Sequence, residues 1–256
     1  MKGVGDKISA FTNIYFKEHG KQAKLGNLIF EDNHKLFTFY LIDKIVENFA
    51  SIGELFKLSE KQGYTFLRNS IYILTRGVLS DVIIIFWLFT EDKSFADENE
   101  MILSKVNELK RDHIKFHISF MKIMSGLGLM SKEDKMFEVD IINTKFRHLL
   151  TDDLKPDLSN NVTKESTKIS KMLNDTNKSN SILVEAYKNY FLLSKVEHTG
   201  EFTRMILQKT HENNNPMDDF LENSILAITN TIQIFAPEFL TDKEFIDDIR
   251  AFNIMK

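Results

Sequence analysis

GYTFLRNSIYILTRGVLSDVIIIFWLFTEDK, residues 63–93, is the stretch whose reading decides the fold. Val82 to Phe89 is unbroken apolar sequence, and a helix this apolar belongs in the interior of a protein. Yet the same helix carries Arg68, Arg76 and Asp81. Buried charges are costly unless they are paired. At ~100° per residue, Arg76 and Asp81 lie roughly 140° apart, so they cannot pair with each other. Each needs a partner on a different helix. Asp81 shares a stripe with Gly77 and Ile84, and Gly77 is expected to let a neighbouring helix approach closely. Arg76 shares a stripe with Arg68, Tyr72 and Ser80. Two readings follow: inter-helix ion pairs that set register, or a buried polar site with Arg76 and Asp81 as binding residues.

Helical periodicity extends outward from this stretch in both directions. Tyr40, Lys44 and Glu47 alternate with Leu41, Ile45 and Phe49, as on a packed surface helix. Ser59…Gln62, Ser94…Asp97, Ser131…Asp134 and Thr241…Glu244 read as capping boxes, in which side chains satisfy the free N–H groups of a helix start. Gly126 and Gly128 read as the end of one helix and Gly200 as the end of another. The expected helices lie near 7–18, 33–58, 64–90, 95–125, 132–151, 181–199, 201–213, 217–235 and 242–253. The fold class is all-α, a multi-helix bundle with long central helices. Residues 155–181 are rich in Asn, Ser, Thr, Lys and Asp. They read as a polar connecting segment or a weak surface helix from about Thr163 to Leu173. One all-helical domain over 1–256 is expected, because the C-terminal part is small and needs the N-terminal helices to cover it.

Composition supports this reading and excludes several functions. Only 3 Pro and 10 Gly interrupt 256 residues, which permits long helices, and 22 Phe supply aromatic rings for a core. The net charge of -4 creates no global field for nucleic acid, so a nucleic-acid site would be a local patch. With 0 Cys there is no disulfide framework, thiolate metal site or cysteine nucleophile, which fits a reducing compartment. Met1 to Asp6 lead into charged sequence without an apolar leader. The apolar run Val82–Phe89 is far shorter than the roughly 18 residues of a membrane span. The expectation is a cytoplasmic protein with no membrane partner.

Three constellations carry candidate chemistry. Arg76 and Asp81 form the first. The second is a polar stripe of Tyr187, Tyr190, Ser194 and His198, spaced to keep one helix face. Near a helix C-terminus, the dipole favours a protonated His198. There His198 is a candidate proton carrier, with the tyrosines as hydrogen-bond donors. The third is the run from Lys110 to His117. His113 and His117 stand one turn apart, the spacing of two metal ligands on a helix, but no third ligand is specified and no metal or cofactor is expected. Arg111 and His117 are the remaining catalytic candidates. A spacing of six places their side chains roughly 120° apart. A di-iron bundle, a phosphate-binding loop, a dinucleotide glycine fingerprint and a serine-hydrolase elbow are all absent as motifs.

The Arg76-to-Asp81 stretch with its following apolar helix and Asp97, Glu98 and Glu100, together with Tyr190, Ser194 and His198, resembles a set of uncharacterised bacterial all-helical proteins. These are distantly similar to the HEPN helical bundles of toxin–antitoxin and phage-defence systems. Arg111, Asp112 and His117 look like the loose ribonuclease signature of that group, although they lie outside both blocks. The resemblance covers about a third of the chain. It implies an α-helical bundle with a defence-related or RNA-related role. The function expected is therefore that of a helical interaction or regulatory protein, with a protein partner or a homodimer. The alternatives are a HEPN-like, metal-independent ribonuclease acting on RNA, and a small-molecule-binding bundle lined by Tyr187, Tyr190, His198 and the Arg76 helix.

Overall fold

The computed structural model describes residues 3–24, 33–63, 67–151, 165–174, 180–197 and 216–254. Among them the chain forms nine α-helices and no β-strand: α1 (Val4–Lys24), α2 (Asn33–Gln62), α3 (Leu67–Leu88), α4 (Glu98–Gly126), α5 (Lys132–Phe146), α6 (Glu165–Asn174), α7 (Asn180–Glu197), α8 (Pro216–Phe235) and α9 (Lys243–Ala251). The protein is an all-α multi-helix bundle, and α2 and α4 reach 30 and 29 residues. The helix expected at 201–213 and the stop expected at Gly200 lie outside the described residues.

Two compact units are present. Unit 1 joins Met1–Thr90 to Ser170–Lys256, and unit 2 is Glu91–Ile169. The second boundary falls inside α6, within the segment read as a polar connection. That segment holds a helix whose Ile169 and Met172 are buried, so it is more than a surface turn.

In unit 1, α1 and α2 pack as an antiparallel pair. Gly3 N–H donates to Glu60 at 3.1 Å at one end, and His19 Nε2 lies 3.8 Å from Asp43 at the other. Between them the backbones come close. A Cβ on Gly5 would sit 2.6 Å from the Gly53 carbonyl oxygen, so glycine is needed there. The close approach expected at Gly77 does not occur; Gly77 is exposed, and nothing lies within 4 Å of where its Cβ would be.

Helix α3 packs against α2, α7 and α8. Val82, Ile85, Phe86 and Leu88 are almost completely buried. Phe86 meets Phe235 edge-on at 5.2 Å between centroids, and Tyr15 meets Phe245 at 6.3 Å. Such contacts add to the burial of large aromatic areas. The most apolar 18-residue window of α3 has a mean hydropathy of 1.8, so the helix is long and apolar enough to cross a membrane. However, 67% of that window is buried inside the protein, as in a core helix.

Unit 2 is built on α4 and α5. Ile114 and Met121 of α4 pack with Ile142 of α5 and with Leu149, which lies in a 3-10 turn, Arg147–Leu149. The helix expected over 132–151 ends at Phe146, where this turn begins. Lys168 of α6 bonds Glu108 of α4 at 3.0 Å.

Helix starts follow short-range chemistry. Ser131 and Asp134 form the expected capping box, the Asp134 N–H donating to Ser131 Oγ at 3.0 Å. The other three boxes are corrected. Ser59 and Gln62 lie inside α2, which runs one turn further than expected. Asp97, rather than Ser94, caps α4 by accepting from the Glu100 N–H at 3.0 Å, while Ser94 bonds Asp92. Asp242, rather than Thr241, caps α9 by accepting from the Glu244 and Phe245 N–H groups. An aspartate caps as well as a hydroxyl does, and its charge also favours the positive end of the helix.

Candidate functional site

Arg76 and Asp81 turn to different neighbours, as their angular separation requires. Asp81 is buried, its side chain only 8% exposed. Lys44 of α2 donates to both carboxylate oxygens at 2.9 Å. Burial still outweighs this partner and holds the Asp81 carboxyl above the ordinary carboxylate range. Arg76 lies over the ring of Tyr190 on α7, its guanidinium carbon 5.4 Å from the centroid. A cation over an aromatic face is attracted by the ring quadrupole. Arg68 is exposed at the start of the helix and takes no part in this arrangement.

One residue of the tyrosine stripe therefore meets α3. Tyr187 and Tyr190 are half-buried on α7. The Ser194 hydroxyl donates to the Phe191 carbonyl of its own helix at 2.6 Å. His198 lies outside the described residues. The structure brings Arg76 to Tyr190 and sends Asp81 away to Lys44.

Sequence reasoning missed Asn189. It is 0% exposed, and among the described residues neither its amide nitrogen nor its carbonyl oxygen has a hydrogen-bond partner. Thr75 on α3 is equally buried, its hydroxyl also without one. Groups of this kind are rare in native proteins because each forfeits its hydrogen bonds to water. The signal was present: Asn189 stands in the apolar stripe of Leu183, Ala186 and Leu193.

On α4, Arg111 is 9% exposed and its Nε has no acceptor. His117 Nε2 lies 3.1 Å from the Glu138 carboxylate of α5. Six residues of helix separate Arg111 and His117 by about 9 Å along the axis and put them on different sides. His113 is exposed. Among the described residues, no group of three or more His, Cys, Asp or Glu could hold a metal ion.

Two surface hollows each contain polar side chains already held by hydrogen bonds within the protein. A groove of about 480 Å³ between α1 and α2 contains Glu54, which accepts from Ser9 and Lys57. A smaller hollow of about 260 Å³ between α8 and α9 contains Gln233, whose amide donates to the Ile249 and Phe252 carbonyls at 3.0 Å.

The largest departure from ordinary surface chemistry is on α4. Apolar residues recur along one face at alternating intervals of four and three, the spacing of a coiled-coil seam. In the first half, Ile102 and Val106 are buried and Leu109 half-buried. The stripe then continues through His113 into solvent: Phe116 is 69% exposed, Phe120 43%, Ile123 60% and Leu127 67%. This face points away from Ile114 and Met121, which pack within unit 2. The sequence reading treated Lys110 to His117 as a charged run and did not follow the spacing through it.

No protein-family model, curated protein or solved structure matches this chain.

Proposed function

We propose that the protein is a helical interaction or regulatory protein that works by docking a protein partner rather than by catalysis. The exposed half of the α4 stripe carries this reading. Monomeric proteins rarely show contiguous apolar patches beyond a few hundred Å², and larger ones mark interaction sites. Three of the polar residues singled out for chemistry support it from the other side. Asp81 is engaged by Lys44, Arg76 by Tyr190 and His117 by Glu138. A role in bacterial defence rests on the resemblance to HEPN-like bundles alone.

The test is stripe-dependent retention. The wild-type chain and a Phe116→Glu, Phe120→Glu variant are immobilised side by side, and the protein species bound to each are compared, the chain itself included. The reading expects at least one species held by the wild type and lost from the variant. Identical sets on both surfaces would sink it. A ribonuclease assay on the wild type and on Arg111→Ala and His117→Ala addresses the alternative, with cleavage lost in both variants as its signature.

A further inference from the structure

We infer that the exposed half of the α4 stripe docks on α4 of a second copy of this chain, the two helices running antiparallel. The inference deepens the interaction reading and rests on it. A seam of alternating four- and three-residue spacing is self-complementary, since knobs on one helix fill holes on an identical one. The stripe also sets the direction. Its first half is already buried, so a second copy has access only from about Leu109 onward. A parallel partner would bring its own covered half into that occupied region. An antiparallel partner carries its covered half beyond the C-terminal end of α4.

The antiparallel register that aligns the exposed halves sets Phe116 of each copy against Phe120 of the other, with His113 facing Ile123 outside them. Aromatic anchors at the centre of an interface are the usual carriers of its energy. Charge permits the pairing. In this register the flanking side chains pair Lys110 with Met124, Asp112 with Gly126 and Ser119 with Ser119, and the two His117 side chains that meet each stand beside a Glu138 carboxylate, so no unbalanced like charges meet. A strongly acidic or basic partner would find few counter-charges on this face. Area also fits. With roughly 150–250 Å² for a fully exposed large side chain, Phe116, Phe120, Ile123 and Leu127 offer on the order of 450 Å² per copy. The pair, with its flanking side chains, reaches about 1,000 Å², the lower bound of a specific interface. An interface this small makes the dimer weak and concentration-dependent.

The experiment is sedimentation of the full chain across micromolar to several hundred micromolar concentrations. Wild type is expected to move from monomer to dimer. Phe116→Glu with Phe120→Glu is expected to stay monomeric with an unchanged circular dichroism spectrum, because both residues are exposed. Single-cysteine variants test the geometry cleanly, since the chain has no cysteine of its own. Under mild oxidation Ser119→Cys should cross-link into dimers, and Lys122→Cys, on another side of α4, should not. Wild type that stays monomeric throughout, or dimers that survive the double substitution, overturns the inference. A monomer that still retains another protein through Phe116 and Phe120 overturns the second copy while leaving the interaction reading intact. Loss of all stripe-dependent binding overturns both.

Discussion

Helices α3 and α4 are both long and both carry apolar faces, but they put them to different use. In α3 the apolar surface runs almost all round, and the protein closes over it. Its charges survive there because Lys44 reaches Asp81 and Tyr190 underlies Arg76. In α4 the core of unit 2 takes Ile114 and Met121 on one side, and a second, narrow stripe is buried only over its first half. An all-round apolar helix must be buried for the chain to fold at all. A single stripe can remain open, and once open it becomes a binding surface. Composition alone does not distinguish the two cases; the angular distribution of apolar residues does.

The sharpest way to break this comparison is to truncate one phenylalanine on each helix. Phe86→Ala should cost about 3–5 kcal/mol, because Phe86 is 1% exposed and packs on Phe235. Phe116→Ala, at a side chain 69% exposed, should change the stability of the dilute protein by no more than about 0.5 kcal/mol. Chemical denaturation of both variants checks the contrast, and equal losses would mean that the α4 stripe is core after all.

Lys44→Ala is next in size. It leaves the Asp81 carboxylate buried without its partner and should cost about 1–3 kcal/mol at neutral pH. The loss should shrink in acid, where Asp81 is protonated and needs no counter-charge. Denaturation at two pH values decides this.

Asn189→Leu should act in the opposite direction, raising stability by about 1–2 kcal/mol, since it removes a buried amide without hydrogen bonds at little change in volume. A thermal melt that falls instead would show that Asn189 has a partner the fold requires.

The smallest expected effect belongs to Asp81→Asn. The folded protein holds the Asp81 proton more tightly than the unfolded chain does, because burial outweighs Lys44. That group therefore contributes most to stability below the unfolded carboxylate value of about 3.9, and its contribution is lost as pH rises through the higher folded value. Removing the charge should leave stability at pH 7 unchanged or slightly higher and flatten the pH dependence across the acid range. Parallel pH–stability curves for wild type and variant would contradict this.

Much of the fold was legible because it depends on local rules. Periodicity located α1, α2, α3, α4, α7, α8 and α9 to within a few residues to about two turns, and Ser131 capped α5 as read. The failures are local as well. Asp97 and Asp242 took the caps from neighbouring hydroxyl residues, a contest that sequence spacing does not decide. Gly77 was read as a close-contact glycine when that role belongs to Gly5 and Gly53. Nothing in the spacing of a lone glycine tells which face of a helix a neighbour will choose.

The sequence by itself determined the helical class, the central place of the apolar helix that ends at Leu88, and the need for Arg76 and Asp81 to find separate partners. It determined these because helix formation and amphipathic spacing are set within a few residues. Only the tertiary structure decided that Lys44 is the partner of Asp81, that Tyr190 lies under Arg76, that Asn189 is buried without a hydrogen bond, and that the α4 stripe emerges into solvent at Phe116. Those outcomes depend on which helices come together across long stretches of chain. Burial belongs to the packed assembly, and no segment carries it in its own residues.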